Sequence, residues 1–144
     1  MKTLQQILNE KKHKELVSIE PNRPVYDALV VLAEYKIGAL AVIDASGKLV
    51  GIFSERDYAR EVVLKGRSSK TTQITEVMTH NVLTGHPNDL VDAAMSLMNE
   101  KRIRHLPIVD NGRVLGMLSL GDLVKETISY QKQLIAQLEQ YIRS

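Results

Sequence analysis

A chain of 144 residues, 44% apolar and 25% charged, suits one compact domain or two fused half-domains, and its composition excludes a disordered chain. A net charge of +2 without a long basic tail makes no electrostatic demand for nucleic acid, and the absence of cysteine excludes disulfides, thiolate nucleophiles and cysteine-ligated zinc. Met1 to Asn9 holds no apolar signal core and no stretch is long and apolar enough to span a membrane, so the sequence predicts a cytoplasmic protein.

Thr3 to Lys11 reads as a short amphipathic helix with Leu4, Ile7 and Leu8 on one face, packing as a lid or clasp. Leu16 to Ile19 reads as a short extended stretch. Pro21-Asn22-Arg23-Pro24 breaks it, and a helix is expected from Pro24 in the N1 position. Val25, Ala28, Leu29 and Leu32 form an apolar stripe at helical spacing along that helix. Ala39 to Ile43 and Leu49 to Phe53 read as strands of a hairpin turned at Asp44-Ala45-Ser46-Gly47, and Ser54 to Lys65 as a helix closed by Gly66.

The pattern then begins again. Ile74 to Met78 reads as a helical turn and Val82 to Thr84 as a short strand. Val91, Ala94, Met95 and Met98 repeat the stripe, and His105 to Val109 with Val114 to Leu118 repeat the hairpin around Asp110-Asn111-Gly112. Pro21, Gly47, Gly51, Ser54 and Asp57 fall on Pro87, Gly112, Gly116, Ser119 and Asp122, so the chain is an internal duplication. The expected organisation is an N-terminal helix (1–14), a first βαββα half (15–66), a connector (67–73), a second half (74–130) and a helical extension (131–144). The expected fold class is α/β (α+β). Neither half is large enough to cover both faces of its own sheet, so two pseudo-twofold-related halves should pack sheet to sheet. Leu123, Ile128, Leu134, Ile135, Leu138 and Ile142 give the long final helix an apolar face, which predicts homodimerisation through it.

The strongest repeated phrase is Gly51-Ile52-Phe53-Ser54-Glu55-Arg56-Asp57, which returns as Gly116-Met117-Leu118-Ser119-Leu120-Gly121-Asp122. Each copy leaves a strand and enters a helix, placing Ser at the N-cap and Asp one turn on at N3. As a purely structural device this is a capping box with Asp in place of Glu. As a binding device, the Asp accepts the paired hydroxyls of a ribose, while the Ser and the free N–H groups of the helix start face a negative group. The glycine would let a sugar approach the strand.

These two turns, the doubled βαββα order and the phrase Ile103-Arg104-His105-Leu106-Pro107-Ile108-Val109-Asp110 resemble the tandem cystathionine β-synthase (CBS) domain pair, or Bateman module, over roughly Glu15 to Tyr130. The resemblance implies a stand-alone regulatory module that binds adenosine derivatives such as AMP, ATP or NAD and changes its conformation or partner contacts, without catalysis and without a metal. It implies a first site of Ile52, Ser54 and Asp57 with Leu83 and Ile103 opposite, and a second of Met117, Ser119 and Asp122 with Val17 and Ile37 opposite and Lys12 nearby. Arg56, Arg104 and His105 are the expected phosphate partners. Adenine nucleotides, a second copy meeting it through the CBS faces and the C-terminal helix, and an effector protein are the expected partners. A membrane and nucleic acid are not. Gly38 stands opposite Arg104 in the repeat and Gly121 opposite Arg56, so the two sites should differ in affinity or ligand.

Two other classes are less well supported by the residues. A nucleotide-acting enzyme would need a base beside Ser54 or Ser119, and neither copy places one there. A nucleic-acid-binding protein would need a basic stripe interleaved with stacking aromatics, whereas the chain has five Tyr, one Phe and no Trp.

Overall fold

A computed structural model describes residues 1–11 and 16–143. Its elements in chain order are α1 (Leu4–Glu10), β1 (Ser18–Ile19), α2 (Val25–Tyr35), β2 (Ala39–Ile43), β3 (Leu49–Ser54), α3 (Glu55–Asp57), a π-helical segment (Tyr58–Val63), α4 (Ile74–Val77), α5 (Val91–Lys101), β4 (His105–Asp110), β5 (Arg113–Ser119) and α6 (Leu120–Arg143). The chain divides into two compact units. One comprises Glu15–Leu83 with Asn111–Leu115, the other Met1–Lys14, Thr84–Asp110 and Gly116–Ser144.

In the first-repeat unit β1 pairs parallel with β2, and β2 antiparallel with β3. The order β1-β2-β3 follows the chain. Both faces of β2 are covered, so its run Ala39-Leu40-Ala41-Val42 is continuously buried rather than alternating. Val25, Ala28 and Leu32, the stripe of α2, close on Leu40, Val42 and Phe53, joined by Val62, Ile74, Val77 and Met78. Pro24 is the N-cap of α2 rather than its first helical residue, and Thr72 accepts the Val25 N–H through its carbonyl at 2.8 Å.

The second-repeat unit buries Leu4, Ile7, Val91, Ala94, Met98, Leu106, Ile108, Leu118 and Leu123. α1 belongs to this unit. Its capping box is formed by Thr3 and Gln6, its Leu4 and Gln5 N–H groups donate to the carbonyls of Asp89 and Pro87, and Val91 N–H donates to Lys2. Asn111 and Gly112, both at positive φ, form the two-residue turn between β4 and β5 that such a hairpin requires.

The repeat is less regular than the sequence predicts in two places. Val82 to Thr84 is not a strand. A single parallel bridge from Gly85 to Ile108 stands in its place, so β4 and β5 form a two-stranded sheet. Ser54 to Lys65 is not one α-helix: only Glu55–Asp57 is α-helical, and the next six residues wind as a π-helix before Gly66 at φ +67°. In the second repeat the corresponding helix, α6, runs 24 residues.

Candidate functional site

The two Ser-x-x-Asp turns close into the same hydrogen-bonded box. In the first, Ser54 N–H donates to Asp57 Oδ2 at 2.9 Å, the Ser54 hydroxyl donates to the same oxygen at 3.0 Å, and Asp57 N–H returns to Ser54 Oγ at 3.2 Å. In the second, Ser119 N–H donates to Asp122 Oδ2 at 2.8 Å and Asp122 N–H returns to Ser119 Oγ at 3.1 Å. The strand delivers the serine in extended conformation, with Ser54 at φ −124° and ψ 166°, and the helix start turns the aspartate back to meet it.

A further backbone bond ties each turn to the preceding strand entry. Glu55 N–H donates to the Gly38 carbonyl at 3.0 Å and Leu120 N–H to the Arg104 carbonyl at 2.8 Å. Gly38 and Arg104, different in side chain, thus do the same backbone work. Together with the serine caps, these bonds occupy two of the first three N–H groups of each helix. The expected row of free donors at the helix start is therefore corrected: most of it is satisfied within the protein.

Sequence reasoning missed the groups that hold the aspartates from the other side. Thr79 pairs with Ile52 through both backbone groups, donating at 2.8 Å and accepting at 3.0 Å, and its hydroxyl reaches Asp57 Oδ1 at 3.2 Å. At the second turn one ammonium meets the equivalent carbonyl and the other carboxylate oxygen, the one already in the serine box. Lys11 Nζ donates to the Met117 carbonyl at 3.1 Å and pairs with Asp122 Oδ2 at 3.1 Å. Ile52 and Met117 are equivalent in the repeat, and Lys11 and Thr79, from the segments that lead into the first and second repeats, take corresponding positions beside them. Lys12, the lysine expected here, lies outside the described residues.

Burial works to raise the Asp122 carboxyl, but the Ser119 N–H and the Lys11 ammonium outweigh it and hold the group below its ordinary value of 3.8. Lys11 and Asp122 are both about seven-tenths covered, with side-chain exposures of 31% and 27%.

The glycines serve a different purpose from the one expected. A Cβ on Gly51 would stand 2.5 Å from Met78 Sδ and 2.9 Å from the Thr79 carbonyl oxygen, and one on Gly116 would stand 2.8 Å from Leu8 Cδ2. The space beside each strand is filled by protein, so the absent side chains admit Met78, Thr79 and Leu8 and not a sugar.

Of the other expected site residues, Ile52, Leu83, Val17 and Ile37 are half-buried in the first-repeat unit, the last two packed against its core. Met117, Ile103 and His105 are half-buried in the second-repeat unit, and Arg56 and Arg104 are exposed in the first and second units respectively. Among the described residues no group of three His, Asp or Glu is placed to hold a metal, and no helix is long and apolar enough to cross a membrane.

A strand-to-helix turn boxed by Ser and Asp and repeated in a second α/β unit places the chain in the class of tandem-repeat α/β proteins. The CBS domain family model matches residues 11–64 and again 74–129, and the chain belongs to that family as a CBS pair. It is 37% identical over 123 residues to the mitochondrial CBS domain-containing protein CBSX3 of Arabidopsis thaliana, covering 83% of this chain and 60% of the plant protein. Among solved structures, a CBS-domain protein of Burkholderia ambifaria MC40-6 is 46% identical, with a TM-score of 0.84 and coverage of 88% of this chain and 94% of that one. The CBS domain pair of protein MJ0100, solved with 5′-methylthioadenosine and S-adenosyl-L-methionine, is 27% identical with a TM-score of 0.79, covering 90% and 98%.

Proposed function

We propose that the chain is a regulatory module in which the Ser54–Asp57 and Ser119–Asp122 turns each hold the ribose of an adenosine-containing ligand, and occupancy shifts its contacts with a partner. The observation that carries this reading is the pair of boxed carboxylates. Asp57 and Asp122 are fixed by reciprocal bonds to their serines, so each offers acceptors at a set position without further ordering. The MJ0100 pair, with its two adenosine-derived ligands, supports the ligand class. AMP, ATP and NAD are the proposed ligands, and Arg56, Arg104 and His105 the proposed partners of their phosphates.

No reaction is assigned. Each serine hydroxyl is engaged as a cap acceptor, and the neighbouring carboxylate is held in the same box, which makes a poor nucleophile and a poor base. Calorimetric titration with AMP, ATP and NAD tests the reading. Heat or thermal protection from at least one of them is expected, and none at about 1 mM, the weak end of useful affinity, would sink it.

The module is further proposed to act as a homodimer through α6. Val124, Ile128, Ile135, Leu138 and Ile142 are exposed there, and with Gln131 they alternate steps of four and three along the helix. That is the spacing of a coiled-coil seam.

A further inference from the structure

We propose that Lys11 sets the ligand preference of the Asp122 turn, making it select adenine ligands that carry an anionic group over uncharged nucleosides. This rests on reading the turns as adenine-nucleotide sites and adds which residue reads the ligand's charge. The two turns differ at one equivalent position. At the Asp57 turn the bridging group is Thr79, whose backbone N–H bonds the Ile52 carbonyl and whose neutral hydroxyl bonds the aspartate. At the Asp122 turn one ammonium makes both bonds, to Met117 O and to Asp122 Oδ2. Among the described residues Asp57 forms no ion pair and is met by the neutral donors of Ser54 and Thr79, whereas Asp122 is paired with the Lys11 ammonium.

Three consequences follow from ammonium chemistry. A lysine has three donors, and the two bonds to Met117 and Asp122 leave one for a ligand. Lys11 crowds only Oδ2 of the aspartate. Oδ1 accepts no hydrogen bond from the described residues, so a ribose hydroxyl can take it without displacing the lysine. Finally, the charge is held by two contacts on a largely covered side chain at the start of the 24-residue α6. Water and salt screen it less there than an exposed arginine such as Arg56, and the helix dipole has the same sign. The mismatch between Arg56 and Gly121, read from sequence as the source of inequality between the sites, is therefore secondary to the exchange of Thr79 for Lys11.

The test is calorimetry with AMP and adenosine on Asp57→Asn protein, in which the first turn is silenced, with Lys11 intact or changed to Met, Gln or Arg. Melting curves check that each variant is folded, and Gln serves if Met does not fold. With Lys11 present, AMP should bind at least about tenfold more tightly than adenosine, the scale of one charge-assisted hydrogen bond. Lys11→Met or Lys11→Gln should bring the two ligands within about threefold of each other, and Lys11→Arg should keep the preference for AMP. A preference that survives loss of the charge, or equal affinities with Lys11 present, overturns the proposal while leaving the nucleotide reading intact. Binding of neither ligand with Lys11 present, by contrast, removes the nucleotide reading of this turn and the proposal with it.

Discussion

At Gly51 the nearest obstacles to a side chain are the Met78 sulfur and the backbone oxygen of Thr79, whereas at Gly116 they are the far end of one leucine, Leu8. The two positions are identical in sequence and unequal in consequence. Gly51→Ala should destabilise by about 1–3 kcal/mol, because a carbonyl must move and with it the Thr79 pairing, while Gly116→Ala should cost less because Leu8 can change rotamer. Melting temperatures of the two variants check this, and equal losses would contradict it. At Asp122 the sign of the pH dependence follows from the depressed carboxyl. A group held below its unfolded value of 3.8 contributes stability that is complete above that value and is lost as pH falls through the lower folded value. Lys11→Met should therefore melt below the native protein at neutral pH, with the gap closing below about pH 4 as the carboxylate is protonated in both. A gap independent of pH would show that Lys11 acts through packing alone. Ser54, Asp57, Ser119 and Asp122 could be recognised from sequence because capping is local, a matter of spacing within one turn. Thr79 and Lys11 could not, since each reaches its aspartate from a distant segment and neither carries a motif of its own.

Among the elements, those with strong periodicity are the ones that sequence identifies well: α2 and α5 by their stripes, β2 and the two hairpins by apolar runs broken at Gly47 and Gly112. The misses are elements whose form depends on partners. Ser54 to Lys65 has helical composition, yet after one turn it winds as a π-helix, placing Val62 in the core and leaving Val63 and Leu64 exposed. Val82 to Thr84 has strand composition but pairs only at the following Gly85. The non-glycine helix ends are a quieter case. Lys36 and Arg102, which close α2 and α5, both adopt the left-handed conformation at φ 55° and 56°, a symmetry visible only in the backbone. For α6 the face that packs on its own unit is narrow, with Leu123 and Glu126 buried and Thr127 donating to Met95 Sδ at 3.0 Å. The seam of Ile128, Ile135, Leu138 and Ile142 is exposed, and it is the face proposed to meet a second copy. Ile135→Lys and Leu138→Lys together should convert dimer to monomer in sedimentation experiments while leaving the melting temperature of the fold nearly unchanged. Dimers persisting in the double variant would place the interface elsewhere.

At the scale of the molecule the duplication organises everything, and it was legible because identities recur at backbone-critical points: Pro21 and Pro87, Gly47 and Gly112, Ser54 and Ser119, Asp57 and Asp122. The N-terminal helix was harder to place. Nothing in Thr3 to Lys11 indicates which half it serves, and it is its bonds to Pro87, Asp89 and Met117 that show it completes the second-repeat unit. That placement brings Lys11 to Asp122 and breaks the equivalence of the two turns. The central claim, that each Ser–Asp turn is one adenine-ligand site, is tested most directly by counting sites in a calorimetric titration with AMP of the native protein, Asp57→Ala and Asp122→Ala. Two binding events in the native protein and one in each variant are predicted. Unchanged stoichiometry in both variants would contradict the assignment.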